Sequence, residues 1–114
     1  MADTKYNGWT NYETWLVNVW MDNEQGSQEF FRGQANEMYE EAAATAMWTR
    51  EETARFHFAD WLKDWHEENR PEMPTCGLYY DLLSGALSAV NWDEIARHYI
   101  DAVLEEVNDA EASA

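Results

Sequence analysis

Asn91-Trp92-Asp93-Glu94-Ile95-Ala96-Arg97-His98-Tyr99-Ile100-Asp101-Ala102-Val103-Leu104-Glu105-Glu106-Val107 is the stretch that decides the fold class. Within it Ile95, Ala96, Tyr99, Ile100, Val103, Leu104 and Val107 recur at steps of three and four, the apolar stripe of a helix. Asn91 to Glu94 reads as a capping box, in which a short polar side chain and a carboxylate three residues later satisfy free amides at a helix start. Just before it, Tyr79, Leu82, Leu83, Ala86, Leu87 and Val90 predict another helix, so the two must meet at a sharp corner.

The same grammar runs back to the start. Thr49-Arg50-Glu51-Glu52 is a capping box for a helix with the stripe Ala54, Phe58, Trp61, Leu62 and Trp65, closed by Asn69-Arg70-Pro71. Ser27 is the expected cap of a helix facing inward through Phe30 or Phe31, Ala35, Met38, Ala42 and Ala46. Thr10 to Glu13 reads as the capping box of the first helix, with Tyr12, Trp15, Leu16, Val19 and Trp20 as its inward stripe. Asn23 to Ser27 breaks the first two helices, Pro71 to Thr75 is a loop, and a short strand fits only near Cys76 to Tyr80. The expected architecture is all-α, a compact bundle of about five short helices in one domain, residues 1–114, with 1–8 and 109–114 as frayed ends.

Charge narrows the function classes. Twenty-three Asp and Glu against seven Lys and Arg give a net charge of −16 on 114 residues. That sign opposes binding to nucleic-acid backbone or an anionic membrane and favours a basic partner. Seven tryptophans argue against disorder, because acidic disordered chains lack aromatics. Trp15, Trp20, Trp61, Trp65 and Trp92 fall on stripes or at a helix start and read as core; Trp9 and Trp48 precede helices and read as exposed anchors. The start MADTKYNGW carries no apolar leader and no stretch nears 18 apolar residues, so a cytoplasmic place in the host cell is expected.

Catalytic patterns are sparse. His57, His66 and His98 lack the spacing of di-iron or zincin helices, and the single Cys76 cannot build a zinc site alone. No cofactor and no metal are expected. Paired carboxylates leave a hydrolase as a remote alternative.

The acids fall on outward helix faces: Glu37, Glu40 and Glu41; Asp60, Asp64, Glu67 and Glu68; and Asp101 and Glu105 with Glu94 and Asp109. Carboxylates four residues apart on a helix stand about 6 Å from one another, near the spacing of successive phosphates. A globule of this size has a radius of gyration of ~13 Å. A duplex matching its diameter shows about twenty phosphates, the order of the carboxylate count. The reading is a nucleic-acid mimic that inhibits a basic nuclease, restriction enzyme or CRISPR effector. Its binding residues are the nine acids from Glu37 to Glu105 named first in each group, with Trp9 and Trp48; a homodimer is allowed. The alternative is a salt-adapted structural or assembly protein without mimicry, since the chain has only Lys5 and Lys63.

The opening Tyr6-Asn7-Gly8-Trp9-Thr10-Asn11-Tyr12-Glu13-Thr14-Trp15, with Asp60-Trp61-Leu62-Lys63 and the Gly77-Leu78-Tyr79 to Val90-Asn91-Trp92 stretch, resembles an uncharacterised family. Its members are small acidic proteins of phages, plasmids and archaeal or bacterial mobile elements. The resemblance implies a setting in which acidic anti-restriction and anti-CRISPR proteins are common, and supplies no catalytic residue.

Overall fold

A computed structural model describes the backbone of residues 6–113 and the side chains of residues 6–109. Any fraying of residues 1–5 lies outside the described residues. Among the described residues five helices follow in order: α1 (Tyr12–Asn23), α2 (Gln25–Glu41), α3 (Arg50–Glu68), α4 (Leu78–Ala89) and α5 (Trp92–Ser113). The all-α expectation holds. Among the described residues the one bridge is Tyr6 to Trp9, and Leu78 to Tyr80 begin α4 where a strand was allowed.

α2, α3 and α5 touch one another in every pair and enclose the core. Phe58, Ala54 and Leu62 from α3 meet Ile95, Ala96, Tyr99, Ile100 and Val103 from α5, with Phe31 and Ala35 from α2. The predicted stripes of α3 and α5 therefore face the core, with Trp61, Trp65, Leu104 and Val107 half-buried against it. α3 starts as its sequence demands: Thr49 Oγ1 accepts from the Glu52 amide and the Glu52 carboxylate accepts from the Thr49 amide, both at 3.1 Å. Bonding of its carboxylate to the Thr49 amide, and then to the Thr49 hydroxyl, holds the Glu52 carboxyl below its usual range.

α2 departs from its sequence reading at both ends. It begins at Gln25 after the single extended residue Glu24, so Ser27 lies inside the helix and caps nothing. It ends at Glu41, leaving Ala46 exposed in the connection. The stop comes from Arg50, whose guanidinium donates to the Tyr39 and Glu40 carbonyls at 3.0 and 3.3 Å while lying over the Tyr39 ring. A cation on the last carbonyls of a helix satisfies groups that another turn would otherwise take. Of the two phenylalanines, Phe31 is buried and Phe30 is 43% exposed.

α1 turns a different face inward from the one its apolar stripe predicts. Thr14, Asn18 and Met21 are buried, whereas Tyr12 and Trp20 are exposed and Trp15, Leu16 and Val19 are half-buried. Thr14 makes its hydrogen bonds on that face and Asn18 donates to Asp22, while Asn18 Oδ1 is buried without a partner. The cap is Asn11 rather than Thr10: Asn11 Oδ1 accepts from the Thr14 amide at 2.9 Å and from Thr14 Oγ1 at 2.6 Å. Thr14 Oγ1 in turn accepts from the Asn91 amide at 2.9 Å, and Asn11 Nδ2 donates to the Ala89 carbonyl at 2.7 Å. The α4–α5 corner is thereby latched onto the start of α1. Asn91 Oδ1 caps α5 through the Glu94 amide at 3.1 Å, but Glu94 does not complete the box; its carboxylate accepts from the Thr10 amide at 2.9 Å.

α4 packs chiefly on α1 and buries no residue of its own. Its backbone starts at Gly77, whose φ of +107° suits glycine, with no side-chain cap. Tyr79 and Leu82, expected inside, are 76% and 59% exposed. α5 continues as helix to Ser113 where residues 109–113 were expected to fray; only Ala114 of that end lies outside the described residues. The molecule extends 55 Å along its long axis, with a Cα radius of gyration of 15.9 Å.

Candidate functional site

The nine nominated carboxylates, Glu37, Glu40, Glu41, Asp60, Asp64, Glu67, Glu68, Asp101 and Glu105, are all exposed. Ion pairs among the described residues engage other acids instead: Arg32 with Glu106, Arg55 with Asp93 at 3.2 Å, and His98 with Asp22 at 3.8 Å. Glu40 takes a bond from Asn36 Nδ2 at 3.4 Å.

The seam between α2 and α3 collects part of this set. Its floor is aromatic: the Phe30 ring lies 5.9 and 5.8 Å from those of Trp61 and Trp65. Glu37 and Glu41 follow Phe30 along α2 at seven and eleven residues, so they stand over the same edge. Asp64 and Glu68 follow Trp61 on α3 at three and seven residues and border the edge from the other side. Asp60, Glu67 and Glu40 lie further round on the outer faces. Asp101 and Glu105 project from the side of α5 opposite Tyr99, Ile100 and Val103, which pack inward. Because α2, α3 and α5 form a triangle, that α5 face looks away from the α2–α3 seam.

The tryptophans separate in an unexpected order. Trp92 is buried, and Trp61 and Trp65 are half-buried in the seam. Trp20, expected in the core, is 73% exposed at the end of α1. Its position next to buried Met21 hides nothing, because the inward arc of α1 runs through Thr14, Asn18 and Met21. Trp48 is exposed as expected, edge-on to Phe56 at 4.9 Å. Trp9 is not free: it packs against the core and meets the His98 ring at 5.5 Å.

Two polar features escaped the sequence reading. Tyr6 and Trp9 exchange backbone bonds of 2.7 and 2.8 Å across Asn7 and Gly8, both at positive φ, the two-residue turn that an Asn-Gly pair favours. The dipeptide itself was the available signal. The second is a cluster on Asp22, which accepts from the Tyr99 hydroxyl and, at 3.0 Å, from Asn18 Nδ2. Burial, and then the Asp22 carboxylate, push the Tyr99 hydroxyl far above the ordinary phenol range, so it stays a donor. The adjoining hollow, about 70 Å³, is lined by Asp22, Gln28, Arg32, His98, Tyr99 and Ala102. Its hydrogen bonds tie α1 to α5.

His66 packs between Phe31 and Trp92, at 5.8 and 4.9 Å, and its Nδ1 lies 2.7 Å from the Leu62 carbonyl. A carbonyl only accepts, so Nδ1 carries the proton. Burial lowers the pKa of His66, against a smaller upward pull from that carbonyl. Among the described residues no group of three or more His, Cys, Asp or Glu is placed to hold a metal ion, and no helix is long and apolar enough to cross a membrane.

A family model covers residues 2–112, nearly the whole chain. The chain belongs to DUF7249, a family of unknown function. No curated protein and no solved structure matches it. In this DUF7249 chain the opening motif residues Thr10, Asn11 and Thr14 are occupied with the latch to Ala89, Asn91 and Glu94. Their role here is to close the fold.

Proposed function

We propose that this protein is an acidic binding protein that occupies the basic nucleic-acid channel of a partner, as an inhibitor of the anti-restriction or anti-CRISPR type, standing in for phosphates. The supporting observation is the α2–α3 seam, where Glu37, Glu41, Asp64 and Glu68 are exposed and without cation partners among the described residues. Unpaired carboxylates keep their full field for an incoming cationic surface. Asp60, Glu67 and Glu40 extend that field outward. Trp48 remains an anchor in this reading, and Trp9 supports the fold. The partner is a basic nuclease, restriction enzyme or CRISPR effector in the cytoplasm of a host cell, and the protein acts without catalysis.

The test is inhibition of DNA cleavage by a panel of restriction and RNA-guided nucleases, run at low and high salt. Inhibition at low salt is expected to vanish in the D60K/D64K/E67K/E68K variant, with an unchanged helical circular-dichroism spectrum. Cleavage unaffected by the wild type, or inhibition that survives the reversal, would sink the reading.

A second reading is a salt-adapted assembly protein from a phage or mobile element. It is favoured by Asp101 and Glu105, which face away from the seam. Strong stabilisation by molar salt, through screening of repulsion, together with no nuclease inhibition, would select it.

A further inference from the structure

The exposed face of α4 stands apart from the rest of this acidic surface. Asp81 is the sole charged residue among its twelve, in a chain where 26% of residues are charged. Leu78, Leu82, Gly85 and Ala89 are spaced four, three and four residues apart, so they form one stripe, and all four are exposed. Leu78 and Leu82 are 66% and 59% exposed. Gly85 opens onto empty space, with no atom within 4 Å of where a Cβ would stand.

The stripe is large in its first half and small in its second. We infer that α4 is the contact between two copies of this chain, packed antiparallel about a two-fold axis through the middle of the helix. In that arrangement Leu78 lies on Ala89 and Leu82 on Gly85 of the second copy, and the twofold repeats both pairs. Each bulky side chain meets a small one, which is the self-complementarity a closed isologous contact needs. Close helix packing then follows from the bare Gly85 backbone.

Charge selects the same occupant. Two chains of −16 repel strongly wherever carboxylates face each other. Meeting on α4 brings together the stretch nearly free of them and leaves the α2–α3 acids on the outside of both copies. A basic partner finds little to pair with on α4 besides Asp81. The contact also shelters the apolar groove beside it, about 250 Å³, whose walls include Tyr12 and Leu16 from α1 and Leu83 and Ala86 from α4. Stable interfaces bury about 800 Å² per partner, more than one stripe of a helix about 18 Å long offers, so Tyr79 on the flank of α4 and Tyr12 of α1 must join and the dimer is modest in affinity. This inference is independent of the proposed inhibitory partner.

Sedimentation and light scattering of the full chain from about 1 to 300 µM test it, a range chosen for micromolar dissociation. The wild type should move from the 13.4 kDa mass towards twice that value, more readily at high salt because repulsion is screened. The Leu82→Glu variant should stay at the single-chain mass. Gly85→Leu should do the same, although leucine strengthens an isolated helix relative to glycine, so its failure to dimerise cannot be blamed on a weakened fold. A wild type that remains single throughout overturns the inference. So does a dimer that persists undiminished in both variants, because the contact then lies elsewhere.

Discussion

α3 and α4 are both patterned helices, and they meet opposite fates. α3 has a completed capping box and three core residues with no exposed surface; α4 has no side-chain cap and buries nothing. Periodicity reveals which side of a helix is apolar, and does not reveal whether another element covers it. α3 lies in the triangle with α2 and α5, so its stripe is enclosed from two directions. α4 lies against α1 at the edge, and its Leu78, Tyr79 and Leu82 stay exposed. Hydrophobic stabilisation scales with surface removed from water, so the two helices contribute very unequally to stability.

The sharpest way to break this comparison is to truncate one side chain on each helix. Phe58→Ala should cost about 3–5 kcal/mol in urea denaturation, because it leaves a cavity among Leu62, Trp61 and Tyr99. Leu82→Ala at low protein concentration should stay within about 0.5 kcal/mol. A Leu82 cost that rises with concentration would mark α4 as covered by a second copy; equal costs at all concentrations would erase the contrast.

A smaller effect separates the attachment of α4 from its packing. Thr14→Val keeps the shape but removes the oxygen that accepts the Asn91 amide, leaving that amide short of a partner. A loss of about 1–3 kcal/mol is expected. Amide exchange should quicken first in α4, whose corner the latch holds, while α3 and α5 keep their protection. Uniform quickening would mean that α4 is as integral as the triangle.

The finest test concerns the buried side alone. His66 has a lowered pKa when folded, so below the ordinary histidine value of about 6.5 the unfolded chain binds a proton that the folded chain resists. Its contribution is intact above that value and is lost as pH falls towards the folded pKa. Melting temperatures at pH 7.5 and 5.5 should therefore drop more for the wild type than for His66→Asn. Matching drops would show that the imidazole does not resist protonation.

Much of this molecule was legible in the residues. The α3 and α5 stripes, the Thr49 box and the corner at Asn91 could be read because each obeys a local rule. α1 was misread because its buried face spends Thr14 on hydrogen bonds to Asn11 and Asn91, and hydrophobic periodicity is blind to a satisfied polar group. The end of α2 depended on Arg50, which only tertiary packing brings to those carbonyls. For the acidic surface, sequence could assign each carboxylate to an outward face. It could not say that Glu37, Glu41, Asp64 and Glu68 share a seam while Asp101 and Glu105 look elsewhere, because that follows from how three helices are arranged.

The bonds from Thr10, Asn11 and Thr14 reach residues 77 to 84 positions later. During synthesis the first helix emerges long before Asn91 and Glu94 exist, and the ribosome must release most of the chain before those partners can meet. Until then Thr10, Asn11 and Thr14 lack their distant partners, and so long a loop must close before the latch is made.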